Sequence, residues 1–464
     1  MNCITDVIAA ISTPPGKGGV AVIRVSGEGA LSVCEHCFCP ASGKRVSDYA
    51  PRTAIYGYVT DRDGIRIDDV LLTYFPSPAS YTGEDTVEIS CHGGVLVTRS
   101  ILELILSHGA RCAEAGEFTR RAFLSGKLSL TEAEAIATVL EARSEAQIKL
   151  MAGPARERLA ERISKIRAAL VELLSSAYAR IDYPDEDLGD FDDREMRERL
   201  YNIKEDVSEL ISTYRTGRAI SEGISTAIVG KPNVGKSSLY NLLVGEDRAI
   251  VTDIAGTTRD VLTSTVALGS TLLRLADTAG IRSGDSLDKV ETIGIERSLR
   301  SMSECELLIA VFDLSREFDG EDDALLREIK GLSSAKIAVL NKSDLEARFD
   351  ESKIFELFDY TLKISTSDER GAVAELSRAV NELFTDEKII SSADAIVASA
   401  RQHSALLSAR ESIEIALDAL NAGYSQDAAS SDIERALGAI AELDGKAVSE
   451  EIVADIFSKF CVGK

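Results

Sequence analysis

The stretch Ser225-Thr-Ala-Ile-Val-Gly-Lys-Pro-Asn-Val-Gly-Lys-Ser-Ser-Leu-Tyr-Asn-Leu-Leu-Val244 decides how the middle of the chain folds. Ser225 to Val229 is an apolar run of strand length and Ser237 to Val244 has helical spacing, so the residues from Gly230 to Lys236 occupy a strand-to-helix turn. That turn has the G-x-x-x-x-G-K-[ST] form of a phosphate loop. Backbone N–H groups there wrap phosphate oxygens and the helix N-terminus adds a favourable dipole. Lys236 reaches the β and γ phosphates, and the Ser237 hydroxyl suits Mg²⁺. Asn233, Val234, Gly235, Lys236, Ser237 and Ser238 are the candidate contacts. An ordinary glycine turn is the competing reading, and the motifs downstream weigh against it.

Asp277, Thr278, Ala279 and Gly280 follow the apolar run Thr271 to Ala276. In that place Asp277 can hold a magnesium shell through water, while Gly280 leaves backbone room beside a γ-phosphate. Asn341, Lys342, Ser343 and Asp344 follow Lys336 to Leu340, another strand-like run, at the carboxyl edge of a parallel sheet where nucleotides bind. A carboxylate at Asp344 accepts two hydrogen bonds from the N1–H and exocyclic amine of guanine. Adenine would strand that acceptor, a discrimination on the order of 10⁴ or more. The expected substrate is therefore GTP, with GDP as its product. Ser365, Thr366 and Ser367, after Tyr360 to Ile364, are the expected fifth loop, presenting N–H groups to the guanine O6.

The residue directly after Asp277-Thr-Ala-Gly280 is Ile281, where many GTPases carry a glutamine that orients the attacking water. Another group must do that work. Arg282, Asp285, Asp288, Glu291 and Glu296 are the candidates, and spacing does not choose between them.

At 464 residues the chain exceeds a single core and suggests about three domains. Its 52 basic against 76 acidic residues give a net charge of −24, which argues against a large nonspecific nucleic-acid surface; Arg120-Arg121 and the arginines from 156 to 167 remain as local basic clusters. Eight cysteines without a secretory leader fit a reducing compartment, and with no apolar run of membrane length a cytoplasmic location is expected. Cys34, His36, Cys37 and Cys39 contain the residue types of a zinc site at cramped spacing, and whether they bind metal is left open. Gly19 to Ser26 and Asp69 to Phe75 read as strands and Gly93 to Ser107 as a helix, an α+β pattern. From Thr131 the spacing is helical. Thr131 to Glu134 and Ser431 to Glu434 have capping-box form, Leu159, Ile163, Ile166, Leu170, Leu173 and Ala177 make one stripe, a helix covers 194–214, and Ile452, Ile456 and Phe460 share a side. The simplest account is a helical domain split by an inserted nucleotide-binding domain.

Together the phosphate loop, Ile250-Val-Thr-Asp-Ile-Ala-Gly-Thr-Thr-Arg-Asp260, Asp277-Thr-Ala-Gly-Ile-Arg282 and Val290-Glu-Thr-Ile-Gly-Ile-Glu296 resemble the MnmE (TrmE) family of tRNA-modification GTPases. The ends agree: Ala10 to Gly19, Tyr81 to Asp85, Cys91-His-Gly-Gly94, Gly116 to Phe123 and the terminal Phe460-Cys-Val-Gly-Lys464. The resemblance implies an α+β folate-binding-like domain over 1–120 that dimerises, a discontinuous all-α domain over 121–217 and 385–464, and an inserted α/β P-loop (Ras-like) GTPase domain over 218–384.

It also implies site residues. Thr252, Asp253, Ile254, Ala255, Gly256, Thr257 and Thr258 would join the GTP site, Thr258 completing Mg²⁺ coordination with Ser237. K⁺ would take the place of an arginine finger, held by Asn233 and by the loop at Thr252, Ile254 and Thr257, and Glu291 would orient the water. Arg24, Glu88, Lys127 and Lys464 would contact a tetrahydrofolate derivative, 5,10-methylene- or 5-formyl-tetrahydrofolate, with Cys461 required for the modification. The implied activity is addition of an aminomethyl or carboxymethylaminomethyl group to C5 of the wobble uridine of certain tRNAs. It would run together with a flavin-dependent MnmG (GidA)-like partner in a heterotetramer. The alternative is a switch or ribosome-assembly GTPase whose outer domains only bind protein.

Overall fold

In this computed structural model the described residues are 6–182, 193–245, 263–276, 302–386, 389, 395–443, 450–458 and 460–463. They form two units, Met1–Ala137 with Ala441–Lys464, and Thr138–Ile440.

The second unit is organised by the strand that opens the phosphate loop. Strands β8 (Ile224–Val229), β9 (Thr263–Leu268), β10 (Thr271–Ala276), β11 (Leu307–Asp313), β12 (Ala335–Asn341) and β13 (Tyr360–Lys363) make a six-stranded sheet among the described residues, ordered β13-β12-β11-β8-β10-β9. All its pairs are parallel except β9 with β10. Parallel strands are covered on both faces and so read as unbroken apolar runs; every residue of β11 is buried. Leu307, Ile309 and Val311 face helices α8 (Lys236–Val244) and α10 (Glu369–Phe384) through Leu239, Leu243, Leu376 and Val380. Leu308, Ala310 and Phe312 face α9 (Gly320–Lys330) through Leu326 and Ile329. Each of these leucine, isoleucine, valine and phenylalanine side chains contributes about 2 kcal/mol by leaving water. The chain leaves β8 toward β11 on one side and β10 on the other, so the order reverses there. A crevice opens outside the carboxyl ends of strands at such a switch point.

Around this sheet in sequence lie α5 (Glu145–Ala152), α6 (Pro154–Asp182) and α7 (Asp193–Ser221) on one side, and α11 (Ala400–Asn421) and α12 (Gln426–Leu443) on the other. The stripe Leu159, Ile163, Ile166, Leu170, Leu173 and Ala177 is buried, as its spacing requires. At Gly217 on α7 a Cβ would stand 2.0 Å from the Val397 carbonyl, so only glycine permits this approach.

The first unit is a seven-stranded sheet ordered β3-β4-β5-β6-β2-β1-β7 among the described residues. Its strands are β1 (Ile8–Ile11), β2 (Gly18–Ser26), β3 (Phe38–Pro40), β4 (Ile55–Thr60), β5 (Arg66–Phe75), β6 (Thr86–Gly93) and β7 (Arg111–Cys112). Alternation along β2 sends Ala21, Ile23 and Val25 into a core with Ile101 and Ile105 of α2 (Val95–Ser107), and leaves Val20, Val22 and Arg24 on the opposite face. The remaining described α-helices are α1 (Ala30–Glu35), α3 (Glu117–Leu124), α4 (Leu130–Leu140) and α13 (Glu450–Ser458). None of the described helices is long and apolar enough to cross a membrane.

The α+β, split helical and inserted α/β parts agree with the expected fold class. Local signals were less accurate. The cap of α4 is Ser129, whose hydroxyl accepts from the Glu132 N–H while Glu132 accepts from the Ser129 N–H; Thr131 is instead buried, donating to the Leu443 carbonyl at 2.9 Å. Ser431 lies inside α12, its hydroxyl on the Ala428 carbonyl, because that helix already began at Gln426. The helix expected over 194–214 runs from Asp193 to Ser221. On α13 the buried side is Val453 and Phe457, with Phe460 beyond its end and Ile456 only partly covered; the Ile452 side chain lies outside the described set.

Candidate functional site

At the end of β8 the backbone enters conformations that the loop's composition anticipates. Gly230 has φ 146° and Gly235 φ 106°, and Asn233 is one of three non-glycine residues at positive φ among the described residues, at 64°. A Cβ at Gly230 would stand 2.3 Å from the Val311 carbonyl. Within the loop Lys236 donates from Nζ to the carbonyls of Gly230 at 2.7 Å and Lys231 at 2.6 Å, and burial pushes its pKa down. Ser237 and Ser238 are exposed on the first turn of α8, as is Asn233 on the loop. An exposed hydroxyl at a helix N-terminus fits the one-ligand, water-rich habit of Mg²⁺.

Asn341, at the end of β12 and 1% exposed, joins three loops. Its Nδ2 donates to the Val234 carbonyl at 2.9 Å and its Oδ1 accepts from the Thr366 N–H at 3.1 Å. The Ser343 N–H meets the Ile364 carbonyl at 3.1 Å, and the Ser367 N–H meets Ser365 Oγ at 3.2 Å. The expected fifth loop therefore has two of its N–H groups, those of Thr366 and Ser367, engaged within the protein, and the first of them locks Asn341 in place. Asp344 is exposed beyond this junction, with its carboxylate open to a base.

Sequence reasoning missed Asp313. It ends β11, is 4% exposed, and accepts from Lys342 Nζ at 2.6 Å and Ser315 Oγ at 2.6 Å. Burial pushes its carboxyl up, but Lys342 and Ser315 outweigh burial and hold it below the usual range. An acid closing an apolar strand at the carboxyl edge of the sheet was the available signal, the same one that marked Asp277. Of the remaining expected residues, Thr252, Asp253, Ile254, Ala255, Gly256, Thr257, Thr258, Asp277, Thr278, Ala279, Gly280 and Glu291 lie outside the described residues, as does Lys464.

In the first unit the register pairs Arg24 with Glu88 across β2 and β6. The guanidinium reaches Glu88 Oε1 from both Nε at 3.0 Å and Nη2 at 2.9 Å, which leaves Oε2 open to another donor. It also lies 5.0 Å from the centre of the Tyr81 ring and 5.7 Å from that of Phe118. Phe118 is fully buried and only backs the guanidinium, so what remains accessible is a carboxylate oxygen, a cation and the half-buried Tyr81 ring, a set that fits a flat, N–H-rich heterocycle such as a pterin. Lys127 donates from Nζ to the Pro78 carbonyl at 3.0 Å and remains exposed. The end of the chain lies in the same unit. Val462 bridges Ala115, the Cys461 carbonyl faces the Gly116 N–H at 3.5 Å, and Ser12 Oγ donates to the Gly463 carbonyl at 3.0 Å. Because Ile11 pairs with Ile23, this segment is one strand removed from β2. Cys461 is exposed.

Burial bears on the Arg120-Arg121 cluster and on the metal question left open at Cys34, His36, Cys37 and Cys39. Arg121 is 2% exposed and is held by Asp6, Glu84 and Glu117, so it supplies no surface for nucleic acid. Cys34 and Cys37 are buried in the core, where burial pushes the Cys37 thiol up to about 11 and that of Cys34 well above its ordinary value. That opposes the thiolate form a metal needs, and no group of three or more potential ligands is assembled among the described residues.

Two family models match the chain: GTP-binding protein TrmE N-terminus over residues 7–127, and MnmE helical domain over residues 130–461. A tRNA modification GTPase MnmE from Clostridioides difficile is 40% identical over 463 residues, covering 99% of this chain and 100% of its own length. Proteins of the same name from Lactiplantibacillus plantarum, at 39% identity over 99% of this chain and 98% of the relative, and from a Thermoanaerobacter species, at 40% over 99% and 100%, are similar along their whole lengths.

Proposed function

This chain belongs to the MnmE family of tRNA modification GTPases, and from that premise we propose that it couples GTP hydrolysis to modification at C5 of the wobble uridine of certain tRNAs. It does so in the cytoplasm as a homodimer with a flavin-dependent MnmG-like partner, adding an aminomethyl or carboxymethylaminomethyl group whose carbon comes from 5,10-methylene- or 5-formyl-tetrahydrofolate.

The roles follow from the chemistry of the groups. Asp344 accepts the guanine N1–H and amine, and Asn341 keeps the base-side and phosphate-side loops in one arrangement. Lys236 and the loop N–H groups hold the phosphates. Ser237, with Thr258 and through water Asp277, would hold Mg²⁺; Asn233, with Thr252, Ile254 and Thr257, would hold K⁺. These cations supply positive charge where negative charge grows during cleavage. Glu291 orients the water that Ile281 cannot. In the first unit Glu88 Oε2 accepts pterin N–H groups beside Tyr81, and Arg24, Lys127 and Lys464 meet the folate's carboxylates. The outward face of the sheet, with Tyr56, Leu71 and Val20 exposed, supports self-association.

The observation that carries the modification reading is the placement of Cys461 to Gly463 against Ala115, Gly116 and Ser12, one strand from the Arg24–Glu88 pair. A purely switching GTPase has no use for an exposed thiol on a segment fastened beside β1. The test is nucleoside mass spectrometry of tRNA from a strain whose own copy carries Cys461→Ser. Loss of the C5-modified wobble uridine, with GTPase activity retained by the purified variant, supports the reading. Unchanged nucleosides favour the switch or ribosome-assembly alternative.

A further inference from the structure

Lys231 follows the first glycine of the phosphate loop, yet its ammonium is held by a helix on the far side of β11 in sequence. Nζ lies 2.7 Å from Asp319 Oδ2 and 2.8 Å from Asp322 Oδ2. The lysine side chain is 14% exposed and that of Asp322 3%. Both acids are themselves fixed at the start of α9: Asp319 Oδ1 accepts the N–H groups of Glu321 at 2.9 Å and Asp322 at 3.3 Å, and Asp322 Oδ2 accepts the Asp319 N–H at 3.1 Å. Burial alone would lower the pKa of Lys231, and the two aspartates raise it instead. On the loop side, the carbonyls of Gly230 and Lys231 receive the Lys236 ammonium. The loop is thus fastened from outside by one lysine and from inside by another.

We propose that Lys231 is a positioning residue for the GTPase reaction: its ion pairs with Asp319 and Asp322 hold the phosphate loop in its binding shape before nucleotide arrives, without contact to the phosphates. A glycine-rich loop left free would lose conformational freedom on binding, and that loss would subtract from affinity. An ion pair whose acids are already oriented by a helix cap, one of them buried, is of the kind that resists solvent screening. The inference rests on the GTPase activity of the family and concerns only how the loop is prepared.

The test uses the full chain and a fluorescent GDP, followed at equilibrium and by displacement. Lys231→Met and Asp322→Asn are each expected to weaken GDP and GTP alike by about ten-fold, between the losses for an exposed and a fully buried charge pair, chiefly through faster release. Turnover at saturating GTP should stay within about two-fold, and Lys231→Arg should bind nearly as the parent does. The double variant should lose no more than either single one. Lys231→Met leaves a buried carboxylate uncompensated and can weaken the fold, so Asp322→Asn, which leaves no charge stranded there, is the second arm, and unfolding of the nucleotide-free proteins is measured alongside. If both variants melt earlier but release GDP at the parental rate, the pair only stabilises the fold and the proposal fails. It fails equally if Asp322→Asn tightens binding while Lys231→Met weakens GTP more than GDP, since the ammonium then acts on phosphate directly. Failure of the parent chain to bind GDP would instead overturn the nucleotide reading itself.

Discussion

Asn341 donates its side-chain amide to the Val234 carbonyl at 2.9 Å, so the loop proposed to read the base is bonded to the loop proposed to hold the phosphates. Gly235 is the reason the two can meet. A Cβ there would stand 2.0 Å from Asn341 Nδ2, on a backbone with φ 106°. Gly235→Ala should therefore abolish GDP binding in calorimetry, whereas Gly320→Ala, where a Cβ meets nothing within 4 Å, should bind normally. Retained affinity in Gly235→Ala would mean that the junction between the loops is dispensable.

Asp344 is expected to set base preference through two accepted hydrogen bonds. Asp344→Asn replaces an acceptor by a donor, so GTP affinity should fall by about 10² or more. Xanthosine triphosphate, which offers a carbonyl in place of the guanine amine, should bind the variant better than GTP does. A variant that still prefers GTP would remove Asp344 from base recognition.

Hydrolysis by the parent should be faster in KCl than in NaCl at equal ionic strength, and Asn233→Ala should erase most of that difference while still binding GDP. Equal rates in the two salts would take the monovalent ion out of the mechanism.

Arg24 and Glu88 should act as a unit toward folate. Glu88→Gln removes the acceptor for pterin N–H groups, and Arg24→Ala leaves Glu88 unpaired, so each should weaken 5-formyl-tetrahydrofolate binding by about ten-fold or more, with GTP turnover unaffected. Fluorescence titration with the folate checks this, and unchanged affinity in both would place the pocket elsewhere.

The Asp313 carboxyl is raised by burial and lowered more strongly by Lys342 and Ser315. A carboxyl depressed in the folded state stabilises the fold above its unfolded value and loses that contribution as pH falls through the folded one. Thermal melts should show Asp313→Asn less stable than the parent near neutrality, and the gap should close as the pH drops below the ordinary value of 3.8. A gap that persists unchanged into acid would assign the effect to packing.

Much of the backbone framework of the candidate nucleotide site was legible because its residues are close in sequence and stereochemically constrained. Gly230 and Gly235 sit at positive φ as a phosphate loop requires, and Asn341 closes an apolar strand at the sheet's carboxyl edge. What could not be read were pairings that depend on register or on distant elements. Nothing local to Lys231 points to Asp322, ninety-one positions away, and Arg24 meets Glu88 only once β2 and β6 are aligned. Overlapping signals misled as well. Ser129-Leu-Thr-Glu132 and Thr131-Glu-Ala-Glu134 both have capping form, and burial of Thr131 against Leu443 decides for the first. Arg121 looked like surface charge because a single sequence does not reveal that Asp6, Glu84 and Glu117 converge on it.

Phe457, Phe460 and Gly463 pack into the unit that begins with β1: Gly116 and Gly463 each lack room for a methyl group against Phe457 and Ile11. A ribosome releases those residues only after it has made the helices and the whole nucleotide-binding sheet. During synthesis the earliest-made unit must therefore wait, with Leu130 and Phe123 uncovered, until the latest-made helix arrives to close it. Such a long wait exposes apolar surface to chaperones and to aggregation. Quality control of this unit thus waits until the intervening domains have been made, when its two distant stretches of chain finally meet.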